Sequence, residues 1–555
     1  MTHRRVLLVV FLVFAIGNAD AKSVLAPSEA AIASAHPLAT AAGHEILEAG
    51  GNAFDAAVAV SAALAVVEPY SSGLGGGGFY LLHLSRVERD VFVDARERAP
   101  LAATKDMFLD REGQPDYARM REGALAAGIP GTPAALAHLA REYGELPLAR
   151  SLAPAIRLAH EGFEVDPRFA ALTSGNAEKL RRYGTTAFFI DGAPPKAGDR
   201  LRLPELAATL EALARDGGES FYRGAIAEKL VDGVREAGGL WTPEDLSSYQ
   251  VIEREPLVGR FRGHRIVTAP PPSSGGTVLL GTLNILAGYE TARLDEATRT
   301  HLLIEAWRRA YRDRGQYLGD PAFVDVPVAR LLDADYAAGL RAGIRLDRAT
   351  PSETLPSVTM NEQGDHTTHF SILDRSGNRV AATQTVNFRY GAGLMPAGTG
   401  VVLNNEMFDF APKAGAPDGF ELVSAAANLV APGKRPVSSM TPTFVEGPDG
   451  LLILGTPGGS RIITMVTLGI LGWLDGLDAA GVAARPRFHH QFLPDVIDYE
   501  PDALDPALRR VLADRGHALR ESPRRYGNMN VVTWRYRGNV VEAATDPRNE
   551  SVVDF

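Results

Sequence analysis

The stretch TTHFSILDRSGNRVAATQTVN, residues 367–387, decides how this chain is read. Thr368, Phe370 and Ile372 alternate with His369, Ser371 and Leu373, the period-two pattern of a β-strand. Asp374-Arg375-Ser376-Gly377-Asn378 is a hairpin turn signal, and Val380 to Asn387 reads as the returning strand. With Asp374 opposite Asn378, Thr367 falls opposite Thr385, and Asn387 lies two residues further along the same face. The register thus predicts that Thr367, Thr385 and Asn387 converge at the open end of the hairpin. A slip of one residue would move the partners to opposite faces.

The residues before the hairpin have a different grammar. Residues 344–366 are polar and turn-rich, with Pro351, Pro356 and Gly364 and few large apolar side chains, which predicts an exposed linker. A chain cut just before Thr367 would carry a new α-amino group beside the Thr367 hydroxyl. A threonine hydroxyl needs a base to become a nucleophile. An α-amine, with an ordinary pKa of about 8, can serve near neutral pH after a modest downward shift.

Upstream, Ala39 to Glu68 repeats Ala, Ile, Leu and Val at helical spacing, broken at Gly50-Gly51-Asn52. Ser71-Ser72-Gly73-Leu74-Gly75-Gly76-Gly77-Gly78 follows, then strands at Phe79–Leu84 and Val91-Phe92-Val93. Helices dominate residues 134–213, short strands return near 250–270, and helices resume to about Ala342. Gly73-x-Gly75-x-x-Gly78 has the spacing of a dinucleotide fingerprint, but the order is helix, glycines, strand. That is the reverse of what the fingerprint requires. No G-x-S-x-G elbow, P-loop or H-E-x-x-H occurs. His489 and His490 are adjacent, so on a strand they face opposite ways and read as structural rather than as a metal pair.

Thr367-Thr368-His369-Phe370-Ser371 resembles the small-subunit start of the γ-glutamyltransferase (γ-glutamyltranspeptidase) family. Further stretches resemble the same family in order: Gly75-Gly76-Gly77-Gly78-Phe79, Asp94-Ala95-Arg96-Glu97, Pro271-Pro272-Ser273-Ser274-Gly275-Gly276 and Tyr317-Leu318-Gly319-Asp320-Pro321. In the second half come Leu403-Asn404-Asn405-Glu406-Met407, Lys434-Arg435-Pro436-Val437-Ser438-Ser439-Met440, Pro457-Gly458-Gly459-Ser460-Arg461 and Pro486-Arg487-Phe488-His489-His490. The resemblance runs from about residue 25 to the end.

It implies an α+β fold: the four-layer αββα sandwich of the N-terminal-nucleophile hydrolases. Two subunits would form it jointly, 22–366 (large) and 367–555 (small, catalytic), after self-cleavage between His366 and Thr367. The implied activity is γ-glutamyl transfer and glutathione hydrolysis, without metal or organic cofactor. The partners would be glutathione or other γ-glutamyl compounds, with water, amino acids or dipeptides as acceptors. Thr367 matches the nucleophile and Thr385 its support. Arg96 matches the grip on the substrate α-carboxylate, suited by the paired donors of a guanidinium, with Ser438 and Ser439 as co-ligands. Asn387, Glu406 and Asp409 match the surroundings of the α-ammonium, and Gly458 and Gly459 the oxyanion site.

Two positions depart from the family. Phe420 stands where many bacterial members carry a lid tyrosine, and Phe408 where an aspartate is frequent, which leaves Asp409 to hold the ammonium alone. Two rival functions share parts of the pattern. One is an acylase acting on cephalosporin-type side chains, distinguished by whether Arg96, Asp409, Ser438 and Ser439 are present. The other is an exported γ-glutamyl binding protein without catalysis.

Arg4 and Arg5, the apolar run Val6 to Ile16 and Asn18-Ala19-Asp20-Ala21-Lys22 read as a secretory signal peptide, 1–21, cleaved after Ala21. This predicts a periplasmic or secreted protein with no membrane span after signal removal. The chain has no cysteine, which rules out a thiol nucleophile, a disulfide framework and an Fe–S cluster. A net charge of −10 disfavours nucleic acid as a partner, and 45% hydrophobic residues over 555 positions supply a large core.

Overall fold

In the computed structural model, which describes residues 26–355, 367–416 and 425–549, the 367–387 hairpin forms at the centre of a six-stranded sheet. The two sheets use twelve strands: β1 (Ala31–Ser34), β2 (Gly77–Leu84), β3 (Arg89–Ala95), β4 (Ile252–Arg254), β5 (Leu257–Phe261), β6 (His264–Thr268), β7 (Thr368–Leu373), β8 (Arg379–Thr385), β9 (Thr443–Glu446), β10 (Gly450–Gly455), β11 (Asn530–Arg535) and β12 (Val540–Thr545). The first sheet runs β1-β7-β8-β2-β3-β4 and the second β12-β11-β10-β9-β6-β5; every neighbouring pair is antiparallel.

Register in the hairpin is as expected: Leu373 pairs with Arg379 and Thr368 with Gln384. The turn is held by the Asp374 side chain, whose Oδ1 accepts the backbone N–H of Ser376 and of Asn378. Its Oδ2 accepts the N–H of Ala53, the first residue of a helix. One aspartate therefore fixes both the hairpin turn and the start of that helix.

The helices used below are α1 (Pro37–Glu48), α2 (Ala53–Val67), α3 (Leu148–Glu161), α4 (Pro204–Asp216), α5 (Gly275–Leu286), α6 (Glu296–Tyr317), α7 (Ile462–Leu474) and α8 (Pro506–Asp514). The break at Gly50-Gly51-Asn52 falls between α1 and α2, where Asn52 and Asp55 form a reciprocal cap. Every residue of α2 is buried, as its alanine-rich, all-round apolar surface requires.

Side-chain alternation divides the first sheet between two cores. Phe370, Ile372, Val380 and Ala382 join one core with α1 to α4. Leu373, Ala381, Phe79 and Leu81 join a second, shared with Phe444, Leu452 and Val531 of the second sheet and with α5, α6 and α7. The hairpin is buried on both faces, so its register is strongly determined.

The expected linker is only partly exposed. Residues 345–348 are exposed, but Ser352 is buried and donates its N–H to Asp495 (2.7 Å). Thr350 donates its N–H and its hydroxyl to Glu305. Buried Glu305, Arg308 and Arg309 on α6 form a charged cluster that recruits this polar segment as partners. The signal segment 1–21, residues 356–366 with His366, and Phe420 lie outside the described residues. Among the described residues, no helix is long and apolar enough to cross a membrane.

Candidate active site

The open end of the hairpin brings together the three residues that the register named. The Thr367 and Thr385 hydroxyls lie 3.3 Å apart, both residues buried. Asn387 arrives by a different route from the one expected. The strand ends at Thr385, and Asn387 sits in a left-handed turn (φ +72°). Its N–H reaches back to Thr385 Oγ1 (2.7 Å), and its side-chain amide donates to Asp409 Oδ1 (3.0 Å) and to the Asn405 carbonyl (3.2 Å).

Arg96 follows directly on β3 and is 1% exposed, so it is no surface side chain. Asp94 Oδ1 accepts the Arg96 N–H (3.0 Å) and fixes the backbone there. The guanidinium donates to Glu406 Oε1 and Asp409 Oδ2, and to the carbonyls of Pro436 and Val437 (each 3.3 Å). Glu97, fully buried, lies 3.6 Å from it. Arg96 and the two acids, expected at opposite ends of a ligand, hold each other here. Three ionised carboxylates around one guanidinium would leave an excess of buried negative charge. Burial pushes Glu406 well above the usual carboxylate range and Glu97 up to about 7, with Arg96 pulling both back. Burial opposes the charge of Arg96, but Glu406, Asp409 and Glu97 more than compensate and raise its pKa.

Ser438 and Ser439 line the same pocket, as do Gly459 and Ile462. Ser274 braces this wall: its N–H and its hydroxyl both donate to the Ser438 carbonyl (2.7 Å each). Two sequence motifs far apart in the chain therefore build one wall. Gly458 (φ +142°) and Gly459 (φ +54°) occupy conformations that favour glycine and lead straight into α7. Backbone N–H groups at this helix start can serve a developing oxyanion. The pocket encloses about 20 Å³.

The sequence pattern of the family described as gamma-glutamyltranspeptidase matches residues 39–554. The chain belongs to this family. It is similar to the glutathione hydrolase proenzyme of Pseudomonas sp. (strain A14), at 42% identity over 87% of this chain and 85% of that protein. It is also similar to the glutathione hydrolase proenzyme of Escherichia coli (strain K12), at 41% identity over 93% and 90%. Among solved structures, the cephalosporin acylase from Bacillus halodurans superposes with a TM-score of 0.82 at 29% identity, covering 97% of this chain and 98% of that one. The mixed helix and sheet architecture is thus shared with the N-terminal-nucleophile transpeptidases and acylases.

The glycine run 75–78 is there for close approach: a Cβ on Gly76 would lie 1.9 Å from the Thr385 carbonyl oxygen, and one on Gly75 would lie 2.0 Å from that of Val402. Asn404 ties the Glu406 N–H to Gly75 and Gly128. Phe408 packs edge-on against Phe388 and Tyr117, away from the pocket lining. His489 bonds Thr464 and Gln491, whereas His490 bonds Asp495, so the pair does diverge. Among the described residues, no group of three or more His, Cys, Asp or Glu is placed to hold a metal ion.

Arg314, Val437, Met440 and Ile462 also line the pocket, beyond the residues expected from the sequence. Arg314, on α6, is buried and donates Nε–H to Ser274 Oγ (3.0 Å). Its one local signal was an arginine on the helical path just before Tyr317-Leu318-Gly319-Asp320.

Proposed function

We propose that this chain is a γ-glutamyltransferase and glutathione hydrolase that cleaves itself between His366 and Thr367. The enzyme class follows from its family and from its glutathione hydrolase relatives. The observation that carries the mechanism is the 3.3 Å approach of the Thr367 and Thr385 hydroxyls, in one pocket with Arg96, Asp409, Ser438, Ser439 and Gly459.

Cleavage frees the Thr367 α-amine, which accepts the proton of Oγ1 as that oxygen attacks the γ-carbonyl carbon of the donor. The tetrahedral oxyanion is held by the N–H groups of Gly458 and Gly459. The C–N bond then breaks, the leaving amine takes the proton back, and a γ-glutamyl ester remains on Thr367. Water converts the ester to glutamate; an amino acid or dipeptide amine converts it to a new γ-glutamyl amide. Thr385 orients Oγ1 and holds the Asn387 turn. Arg96, Ser438 and Ser439 take the donor α-carboxylate, while Asn387, Glu406 and Asp409 take its α-ammonium. A pocket of about 20 Å³ has room for on the order of one or two waters, so the Arg96 pairs with Glu406 and Asp409 must part as the donor enters. The donor brings one anion and one cation, so each half of the broken pairs regains a partner.

In this reading 1–21 is a signal peptide, the site of action is periplasmic or extracellular, and 22–366 and 367–555 form a heterodimer. The division of the first sheet between two cores supports an αββα sandwich. The likeness to a cephalosporin acylase favours a second reading, acyl transfer from cephalosporin-type side chains. Arg96 with Asp409, Ser438 and Ser439 in one pocket speaks for an α-amino acid donor instead.

The test is the denatured mass of purified wild type beside Thr367→Ala, followed by glutathione turnover. Two chains meeting at His366/Thr367 in the wild type, one chain in the variant, and glutathione cleaved only by the wild type are expected. A folded wild type that never cuts would overturn the mechanism and leave a γ-glutamyl binding protein. A cut enzyme that Arg96→Ala leaves unchanged in kcat/KM for glutathione would favour the acylase reading.

A further inference from the structure

A cavity away from the catalytic pocket encloses about 280 Å³. That is close to the lower end of the roughly 300–1,000 Å³ found for small-molecule sites, and much larger than the 20 Å³ beside Thr367. Its apolar walls come from Leu286 on α5, Leu303 on α6, Leu471 on α7, Leu508 on α8, and from Phe488 and Leu504. None of the residues read above as catalytic or substrate-binding lines it.

We propose that this cavity binds a small amphipathic monocarboxylate, with its apolar body against the leucine walls and its carboxylate on Arg485. The charge pattern carries the choice of ligand. Three arginines line the cavity, Arg262, Arg299 and Arg485, against two acids, Glu296 and Asp475. Asp475 is taken by Arg262 (3.1 Å), which also donates to Thr291. Arg485 has no ion pair among the described residues; its Nη1 donates to the Leu468 carbonyl (2.9 Å). Burial lowers its pKa, with Arg299 adding to the effect and Asp475 and Glu296 opposing it. The half-buried Arg485 guanidinium feels Asp475 and Glu296 only at a distance, and a planar carboxylate is the ligand that matches its paired donors directly. Arg299 is exposed on α6 and adds a second positive charge at the same cavity. An ammonium ligand would face a net positive lining. A ligand as small as acetate would leave the leucine walls uncovered.

Two helices run from this cavity to the catalytic pocket. α7 starts beside Gly459 with Ile462 in the catalytic pocket, and Leu471 lies about 14 Å along its axis. α6 carries Leu303 in the cavity, Tyr311 donating to the Ser460 carbonyl, and Arg314 in the catalytic pocket. A ligand here therefore contacts the helices that hold the Gly458-Gly459 turn.

The experiment is calorimetric titration of the purified protein with octanoate and with octylamine, which has the same tail and the opposite charge. Saturable, one-site binding of octanoate and none of octylamine are expected. Arg485→Met, which keeps the apolar stem, should weaken octanoate by about tenfold or more. Arg299→Ala, at an exposed position that leaves folding intact, should weaken it by roughly threefold. Leu471→Trp, which fills the cavity, should abolish binding while the melting temperature holds or rises. Absence of saturable octanoate binding to the wild type overturns the proposal. So does equal binding of octylamine, or octanoate affinity that neither Arg299→Ala nor Leu471→Trp changes.

Discussion

Thr385 Oγ1 lies 3.3 Å from Thr367 Oγ1 and at the same time accepts the N–H of Asn387 (2.7 Å). One hydroxyl thus joins the nucleophile to the turn that carries Asn387 towards Asp409. Thr385→Val keeps the shape but leaves a buried N–H without an acceptor, a loss of about 1–3 kcal/mol. Self-cleavage and kcat should fall by roughly ten- to a hundredfold, and Thr385→Ser should restore most of both. Cleavage rates followed by gel and kcat for glutathione decide it; a Val variant as fast as Ser would remove Thr385 from the mechanism.

Gly76 sets the floor under Thr385. Gly76→Ala would place a methyl 1.9 Å from the Thr385 carbonyl oxygen, so β8 must shift. An overpacked core position costs about 1–3 kcal/mol, and here the displaced backbone carries the site. A lowered melting temperature and loss of self-cleavage are expected. Gly73→Ala, with nothing within 4 Å of the added carbon, is the control and should behave as wild type. Indistinguishable melts and cleavage for the two variants would contradict the close-approach reading.

Glu97, pushed up to about 7 by burial, should make donor binding pH-dependent. As pH rises through 7 it ionises 3.6 Å from Arg96 and competes with the donor α-carboxylate for that guanidinium. The inhibition constant for glutamate should rise by roughly threefold or more between about pH 6 and 8. Glu97→Gln should flatten that dependence. A profile of the same steepness in the variant would assign the titration to another group.

Buried histidines should weaken the fold in acid. Burial holds His369, His489 and His517 down to about 3 and His490 to about 4, against an ordinary 6.5. The unfolded chain takes up these protons as pH falls through 6.5, and the folded chain does not until 3–4. Their stabilising contribution is therefore whole above 6.5 and is lost progressively below it, by about 2 kcal/mol per ring at pH 5. Glu97 acts in the opposite direction between 4.5 and 7 and offsets part of this. Melting curves at about pH 7.5 and 5 should show a smaller drop for His369→Asn than for wild type; an equal drop would mean that His369 is not proton-linked to folding.

What could be read from the residues alone was what local periodicity and turn chemistry determine. Strand alternation in 368–373 and the Asp374–Asn378 turn were enough to set Thr367 against Thr385, and burial of both faces holds that register. The role of Gly458 and Gly459 was legible only through the family resemblance, and the close approach at Gly75 and Gly76 appears only in the tertiary structure. Only the tertiary structure decided how charge is paired. Arg96 meets Glu406 and Asp409 across more than 300 residues of chain, and no local pattern records which buried acid finds which buried base. For the same reason Asn387 left the strand, Ser352 left the exposed linker for Asp495, and Arg314 reached the pocket from a helix that looked like ordinary core. Burial makes an unpaired polar group expensive, so partners are chosen by proximity in space, and that proximity exists only once the two sheets and their helices have packed.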